Sequence, residues 1–273
     1  MRSPFVLPPL LAGLALACGA PSAPGAQSPE RQAEAEYDVA RDLLHKGDLR
    51  TALEHSKKAN DLDPDNVPAL YCTATIYLSF CTSIRSTSIS PSTTVSSDCK
   101  LDQAEKYARA ALEKDARFRD ARNALGTVLI LEGKNQEAVG ILKPLVNDPG
   151  YESIHYAWAN LGWAQVRSGA VDDGISSLKN ATTAPKFCIA YYRLGVAYAK
   201  KGDLTSAESN LTSAIQVESP ECQALQEAWL ERGLVRMKQG KSSEGCADLG
   251  RCRELDADSE VGKQCVDMLK KCG

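Results

Sequence analysis

Two segments of the sequence carry the same pattern of aromatic, leucine and glycine residues at a spacing of 33 residues. Trp158–Gly162 reads W-A-N-L-G and Tyr191–Gly195 reads Y-Y-R-L-G, and 195 − 162 = 33. Self-similarity at a period of 20 to 50 residues is typical of solenoids, in which each unit buries its apolar face only by stacking on its neighbours. This recurrence limits the chain to a repeat architecture.

The pattern also predicts a helix pair in each unit. An aromatic residue and a leucine three positions apart share one helix face, and the glycine after the leucine lets a second helix come close. The segments resemble the first helix of a tetratricopeptide repeat (TPR), with its W-x₂-L-G-x₂-Y signature. The resemblance implies an all-α, right-handed solenoid of antiparallel helix pairs, here called helix A and helix B.

The remaining sequence reads as further copies of this unit. Residues 32–257 are predicted to form six repeats, and residues 258–273 a disulfide-linked capping helix over the last exposed face. In repeat 2 an insert at about 82–97, rich in Ser and Thr and containing Pro91, is expected to be a loop. Five of the six units carry a glycine at the same offset between helices A and B: Gly47, Gly133, Gly169, Gly202 and Gly240.

The N-terminal residues are typical of an export signal. Residues 1–17 combine Arg2 with an apolar run too short to span a bilayer. Cys18 follows in the sequence L-A-L-A-C, which resembles a bacterial lipobox, where the cysteine is diacylated; the alternative is a plain signal peptide cleaved after Ala15–Ala17. Residues 18–31 then predict a flexible tether rich in Ala, Pro, Ser and Gly. With no Asp after the cysteine, the resemblance favours the periplasmic face of the bacterial outer membrane, and the alternative is a soluble periplasmic protein.

Ten cysteines in 273 residues favour an oxidising compartment. In an antiparallel helical hairpin, facing residues have a constant index sum; here 252 + 265 = 517 and 246 + 272 = 518. The other pairs bracket the insert or begin repeats 5 and 6, and Cys72 is left over. The prediction is four disulfides: Cys81–Cys99, Cys188–Cys222, Cys246–Cys272 and Cys252–Cys265. Metal binding is the alternative, but there is no C-x-x-C motif and there are only three histidines, so no metal site is predicted.

No catalytic constellation is evident, so the chain is predicted not to be an enzyme and to need no cofactor or small-molecule substrate. G-x-G-x-x-G, P-loop and H-E-x-x-H motifs are absent from the sequence. A net charge of −3 and a pI near 5.7, with no basic face, argue against nucleic acid as a partner.

Binding of a protein partner is the function that remains after catalysis and nucleic-acid binding are set aside. In TPR proteins the second, fifth, sixth, ninth and twelfth positions of each helix A line the concave groove. The predicted partner-binding residues are therefore Tyr71, Asn123, Thr127, Asn160, Trp163, Tyr192, Arg193, Val196, Leu230 and Leu234.

The C-terminal half of this set is apolar, and exposed apolar patches are often interfaces. The two asparagines are expected to bond the backbone amides of an extended segment. The alternative is that the superhelix curls and buries some of these residues against neighbouring repeats. The carboxylate clamp of co-chaperone TPRs is not met in repeat 1, because Tyr37 and Arg41 stand where that clamp needs Lys and Asn.

A more specific resemblance rests on two segments. Tyr151–Gly162, with Pro149 before it, and Pro185–Gly195, with Cys222 after Pro220, are similar to segments of the type IV pilus pilotin lipoproteins of the PilF/Tgl type. The resemblance implies an outer-membrane lipoprotein that binds secretin subunits and promotes their assembly. The cysteine-rich C-terminus and the repeat 2 insert depart from that family. A generic envelope scaffold is the alternative, and an enzyme accessory protein is a third hypothesis.

Overall fold

The computed structural model describes residues 28–82 and 99–272, and within them every regular element is helical. A 3₁₀ turn, Leu145–Asn147, precedes α7. The α-helices are α1 (Pro29–Lys46), α2 (Leu49–Leu62), α3 (Val67–Thr82), α4 (Leu101–Lys114), α5 (Arg119–Leu131), α6 (Asn135–Leu142), α7 (Ile154–Arg167), α8 (Val171–Ala181), α9 (Cys188–Lys201), α10 (Leu204–Gln216), α11 (Pro220–Gln223), α12 (Gln226–Lys238), α13 (Ser242–Leu255) and α14 (Glu260–Leu269).

Twelve of these helices form six consecutive pairs, and each pair is one repeat. The A helices are α1, α3, α5, α7, α9 and α12, and the B helices are α2, α4, α6, α8, α10 and α13. Each B helix contacts its own A helix, each of the first five contacts the next A helix as well, and successive A helices contact one another. The A helices therefore form the inner layer. The all-α TPR solenoid that the repeat pattern predicts is confirmed.

The five turn glycines all have a left-handed backbone, with φ between +79° and +96°. Glycine adopts this conformation without the steric penalty that other residues meet. After two of them an aspartate caps helix B, because Asp48 and Asp203 accept hydrogen bonds from the backbone N–H of Thr51 and Ser206. The chain thus ends helix A and starts helix B within two residues.

The glycine of the repeat signature sits where helix B crosses helix A. A Cβ atom built on Gly162 would lie 2.7 Å from Leu178 Cγ and 2.9 Å from the backbone oxygen of Gly174. No side chain fits at these distances, so glycine sets how closely α7 and α8 approach.

Four disulfides brace the stack, and they are the pairs that the sequence predicts. Cys81–Cys99 links α3 to the segment just before α4, and Cys188–Cys222 links α9 to α11, between repeats 5 and 6. Cys246–Cys272 and Cys252–Cys265 are nested between α13 and the C-terminal residues, as the index sums require. Cys72 is buried and unpaired. The C-terminal end of the solenoid, where a stack would fray, is therefore tied twice.

Some boundaries in the structure differ from the predicted ones. Helix α1 begins at Pro29 with Ser28 as its cap, so the last three residues of the predicted tether, 29–31, are helical. Helix α3 continues to Thr82, the first residue assigned to the insert. The signal peptide, Cys18 and nearly all of the insert lie outside the described residues. The helix α11 and the 3₁₀ turn are additions that the repeat pattern does not encode. In the part of the chain that the structure describes, none of the helices has the length and apolar character needed to cross a bilayer.

Candidate binding groove

The ten residues predicted to line the groove all lie on A helices, but four of them are buried. Asn160 and Trp163 on α7 are each 8% exposed, Arg193 on α9 is 4% exposed and Leu230 on α12 is 6% exposed. The other six are partly buried: Tyr71, Asn123, Thr127, Tyr192, Val196 and Leu234.

The expectation of an open apolar surface in the C-terminal half is therefore wrong for Trp163 and Leu230. Trp163 belongs to the large core cluster of repeats 2 to 5, and Leu230 packs with Leu249 and Val261. Val196 and Leu234 also pack against these clusters. The stack curls enough for neighbouring repeats to cover Trp163, at the ninth position of its A helix, and Leu230, at the fifth. This is the alternative that the sequence left open.

A chain of hydrogen bonds crosses three repeats along the inner layer. Asn160 Nδ2 donates to Asn123 Oδ1 over 3.1 Å and to Thr127 Oγ1 over 3.0 Å. Arg193 Nη1 donates to Asn160 Oδ1 over 2.9 Å. The Asn160 amide is thus already engaged on both sides, which contradicts its expected role as a donor to a bound peptide backbone. It fixes the register of α5, α7 and α9 instead.

Arg193 ends this chain as a buried cation. Its guanidinium carbon lies 5.8 Å from the centre of the Trp163 ring, in cation–π contact. Among the described residues no carboxylate lies within ion-pair distance of it. The pKa of Arg193 is lowered to about 10, mainly because burial desolvates the guanidinium; Tyr192 opposes this shift and the nearby Arg167 adds to it. At neutral pH the group remains charged.

The neighbouring α12 presents acidic groups to the same layer. Burial raises the pKa of Glu231, and burial together with Glu231 and Glu227 raises the pKa of Tyr192. At the sixth position of successive A helices the chain therefore places a neutral amide (Asn160), a cation (Arg193) and an acid (Glu231).

The N-terminal half of the groove has a different character. Tyr71 packs edge-on against Phe118, with ring centres 5.3 Å apart. Tyr151 is buried beside Asp120 and Asn123, and this burial together with the Asp120 carboxylate raises its pKa. A pocket of about 510 Å³ opens between the start of α5 and the residues before α7, lined by Phe118, Arg119, Asp120, Gly150, Tyr151 and their neighbours.

Tyr156 is the inner-layer residue that the sequence reasoning missed. It occupies the second position of repeat 4, is 48% exposed, and packs edge-on against Phe187 at 5.1 Å, with His155 beside both rings. The same positional rule that selected Asn160 would have found it. It leaves an aromatic edge on the rim of the groove between repeats 4 and 5.

Repeat 6 departs from the signature, with Arg232 and Arg236 where Leu and Tyr are expected. Both cations are paired: Asp248 on α13 accepts hydrogen bonds from each, and Glu208 on α10 accepts one from Arg236. The two residues join repeats 5 and 6 and have a structural role. In the described part of the chain no cluster of three or more potential metal ligands is found.

These features define a TPR solenoid. Tetratricopeptide repeat models match residues 100–152 and 189–219. Among curated proteins, no sequence matches the chain.

Solved structures with the same fold include two proteins of type IV pili. The pilus biogenesis factor PilW superposes with a TM-score of 0.68 at 18% identity, covering 86% of this chain and 98% of its own. Pseudomonas aeruginosa PilF gives 0.64 at 15% identity, covering 89% and 100%. Cut9 of the APC/C hetero-tetramer Cut9–Hcn1 gives 0.72 at 16%, covering 90% and 44%. At these identities the likeness shows the fold alone.

Proposed function

We propose that this chain is a non-enzymatic TPR scaffold that binds a protein partner along the inner layer of its A helices. It is exported, anchored through a lipid on Cys18 to the periplasmic face of the outer membrane, and assists the assembly of the secretin through which type IV pili emerge.

The observation that carries this proposal is the extent of the likeness to PilW and PilF. The chain covers 98% and 100% of these two proteins, but only 44% of Cut9. It therefore has about the same number of repeats as the pilus proteins, with little added or lost. A scaffold of matching length supports a partner of similar extent.

The disulfides support an extracytoplasmic location independently. Four bridges link cysteines that lie 13 to 34 residues apart in the sequence. Such bridges persist in oxidising compartments and are rare in the cytosol. A lipobox-like Cys18 followed by a tether is consistent with a solenoid held close to a membrane.

The geometry suggests how such a scaffold would act. A row of A helices tied by the Asn123–Asn160–Arg193 hydrogen bonds is a preorganised surface, so little ordering is needed on binding. It would hold an extended or apolar segment of an incompletely assembled subunit and so protect unpaired strand edges from aggregation. This role needs no chemistry from the scaffold.

The test is a crosslinking pull-down of the tagged full-length chain from its own cells. Cys18→Ala is compared with Ser22→Ala in the same predicted tether. The proposal expects a secretin as the dominant crosslinked partner, and it expects Cys18→Ala alone to lose membrane fractionation and secretin multimers. If other envelope proteins are captured and Cys18→Ala changes nothing, the chain is a generic periplasmic scaffold and the pilus role is excluded.

A further inference from the structure

Two arginines on the A helices are buried, and their hydrogen-bond partners differ. Arg232 is held by both carboxylate oxygens of Asp248, over 2.9 and 2.7 Å. Arg193, which is more deeply buried, has no carboxylate partner among the described residues and makes one hydrogen bond, to Asn160 Oδ1. A buried cation without an anion is unfavourable unless something compensates it.

Further groups around Arg193 lack partners or add positive potential. The indole Nε1 of Trp163 is buried and has no hydrogen-bond partner within the described residues, although Trp163 is more than nine-tenths buried. The ring of Trp163 is the one that contacts Arg193. Arg167, on the same helix as Trp163, places a second cation nearby. An unused donor and excess positive charge thus coincide in the inner layer.

We propose that Arg193 and Trp163, held by Asn160, form a receptor for the carboxylate of an Asp or Glu side chain in an extended segment of the protein partner. This inference rests on the proposed binding function and names the chemistry that the groove selects. A carboxylate accepts hydrogen bonds from a guanidinium in a planar, bidentate arrangement and has room for the indole N–H as a further donor. The bound segment would supply the missing charge partner.

The position of the receptor indicates a side chain rather than a chain end. Arg193 lies in repeat 5, with Asn123 and Thr127 in the inner layer before it and Leu234 after it. A segment lying there continues in both directions. At the equivalent position of the next repeat stands Glu231, which offers no cation to a second acid. The groove is therefore expected to select one acidic residue at a fixed position, not an acidic run.

The experiment selects binders from a phage-displayed library of random 12-residue peptides on the full-length chain with its disulfides intact. Selected peptides are then synthesised with the acid intact or replaced by its amide, and their Kd values are measured on wild type and on Arg193→Gln. Arg253→Gln, an exposed arginine on α13, is the matched control.

The proposal expects Asp or Glu enriched at one position. Acid-to-amide replacement should weaken binding about tenfold or more on wild type and on Arg253→Gln, but hardly at all on Arg193→Gln. The receptor would be overturned if the selected peptides carry no acid at a fixed position. It would also be overturned if acid-to-amide replacement weakens binding equally in all three proteins. Either result would leave a binding groove intact. If the synthetic peptides bind only with a free C-terminus and lose binding on amidation, the side-chain assignment would be overturned. Failure to obtain any groove binder would remove the proposed binding function as well.

A second variant separates recognition from a merely structural role. Arg193→Met keeps the length of the side chain and removes the uncompensated charge. The receptor predicts that its melting temperature without peptide equals or exceeds that of wild type, while the selectivity for the acidic peptide disappears. A fall of several degrees, together with equal weakening of acidic and amide peptides, would show that Arg193 only holds the stack together.

Discussion

Arg232 donates to both carboxylate oxygens of Asp248, and Asp248 accepts a third hydrogen bond, over 2.9 Å, from Arg236. One aspartate thus pairs with two cations at the last repeat interface, where the signature would place Leu and Tyr. The Asp248 side chain is 4% exposed, so the surrounding protein, not water, determines its energetics.

Replacing Asp248 with Asn should therefore destabilise the protein severely. The change leaves the Arg232 guanidinium buried without its anion, and breaking a buried pair in this way costs about 3–5 kcal/mol. Urea unfolding followed by circular dichroism measures the loss. Asp267→Asn is the control, because its ion pair with Lys270 is more than 70% exposed on both sides and should contribute little to stability. Equal effects would mean that the buried network contributes no more than a surface pair.

The turn glycines give a test of backbone strain without steric contact. Gly169 has φ of +96°, and a Cβ atom added there meets nothing within 4 Å. Gly169→Ala should lower the free energy of unfolding by about 1 kcal/mol, because alanine disfavours the left-handed region. Gly140 in α6 is equally open but helical, so Gly140→Ala should raise it by about 0.5–1 kcal/mol. If both variants changed the free energy of unfolding in the same direction, the left-handed backbone of Gly169 and the helical backbone of Gly140 could not both be correct.

Cys72 should be the one slow thiol of the folded chain. Burial raises the pKa of Cys72 to about 11, so very little reactive thiolate exists at pH 8. In a Cys18→Ala background we expect almost no reaction with Ellman's reagent in the native state and about one thiol after denaturation without reductant. A count of three or more would show that at least one of the four bridges is not formed.

Acid should weaken the contact between repeats 2 and 3. Lys134 is the main cause that lowers the pKa of Glu105 to about 2, from an ordinary 4.5, and Arg109 adds to it. Because the folded pKa is the lower one, this stabilisation is complete above pH 4.5 and is lost as pH falls toward 2. Both cations are more than a third exposed, so solvent screening reduces the effect to roughly 1 kcal/mol. Glu105→Gln should flatten the loss of stability between pH 5 and pH 2, whereas Glu113→Gln on the same helix should not.

Trp163 is expected to behave as a core residue. Truncating a buried tryptophan costs about 3–5 kcal/mol, so Trp163→Ala should lower the melting temperature strongly. Tyr156→Ala, at the exposed rim of the same repeat, should leave the stability within about 1 kcal/mol of wild type. Thermal unfolding of the two variants tests whether Trp163 belongs to the core. A stable Trp163→Ala protein would restore the exposed apolar surface that the repeat pattern suggests.

The periodic and local features of this protein are determined by its sequence. The 33-residue recurrence, the turn glycines and the index sums of the C-terminal cysteines are enough to predict six helix pairs and the nested bridges. They are predictable because each depends on residues that are close in sequence or repeat at a fixed offset. Helix geometry then converts the spacing directly into contacts.

The accessibility of the groove is decided only by the tertiary structure. The repeat pattern assigns Trp163, Arg193 and Leu230 to the inner layer, but the curvature of the stack buries them. Likewise, nothing in the spacing predicts that Arg232 pairs with Asp248 while Arg193 has no acidic partner in the part of the chain that the structure describes. Such pairings depend on small rotations between successive repeats, which accumulate along a solenoid and are set by the packing of many side chains at once. The sequence therefore determines the architecture, and the packing of the folded stack determines which of its polar groups remain available to a partner.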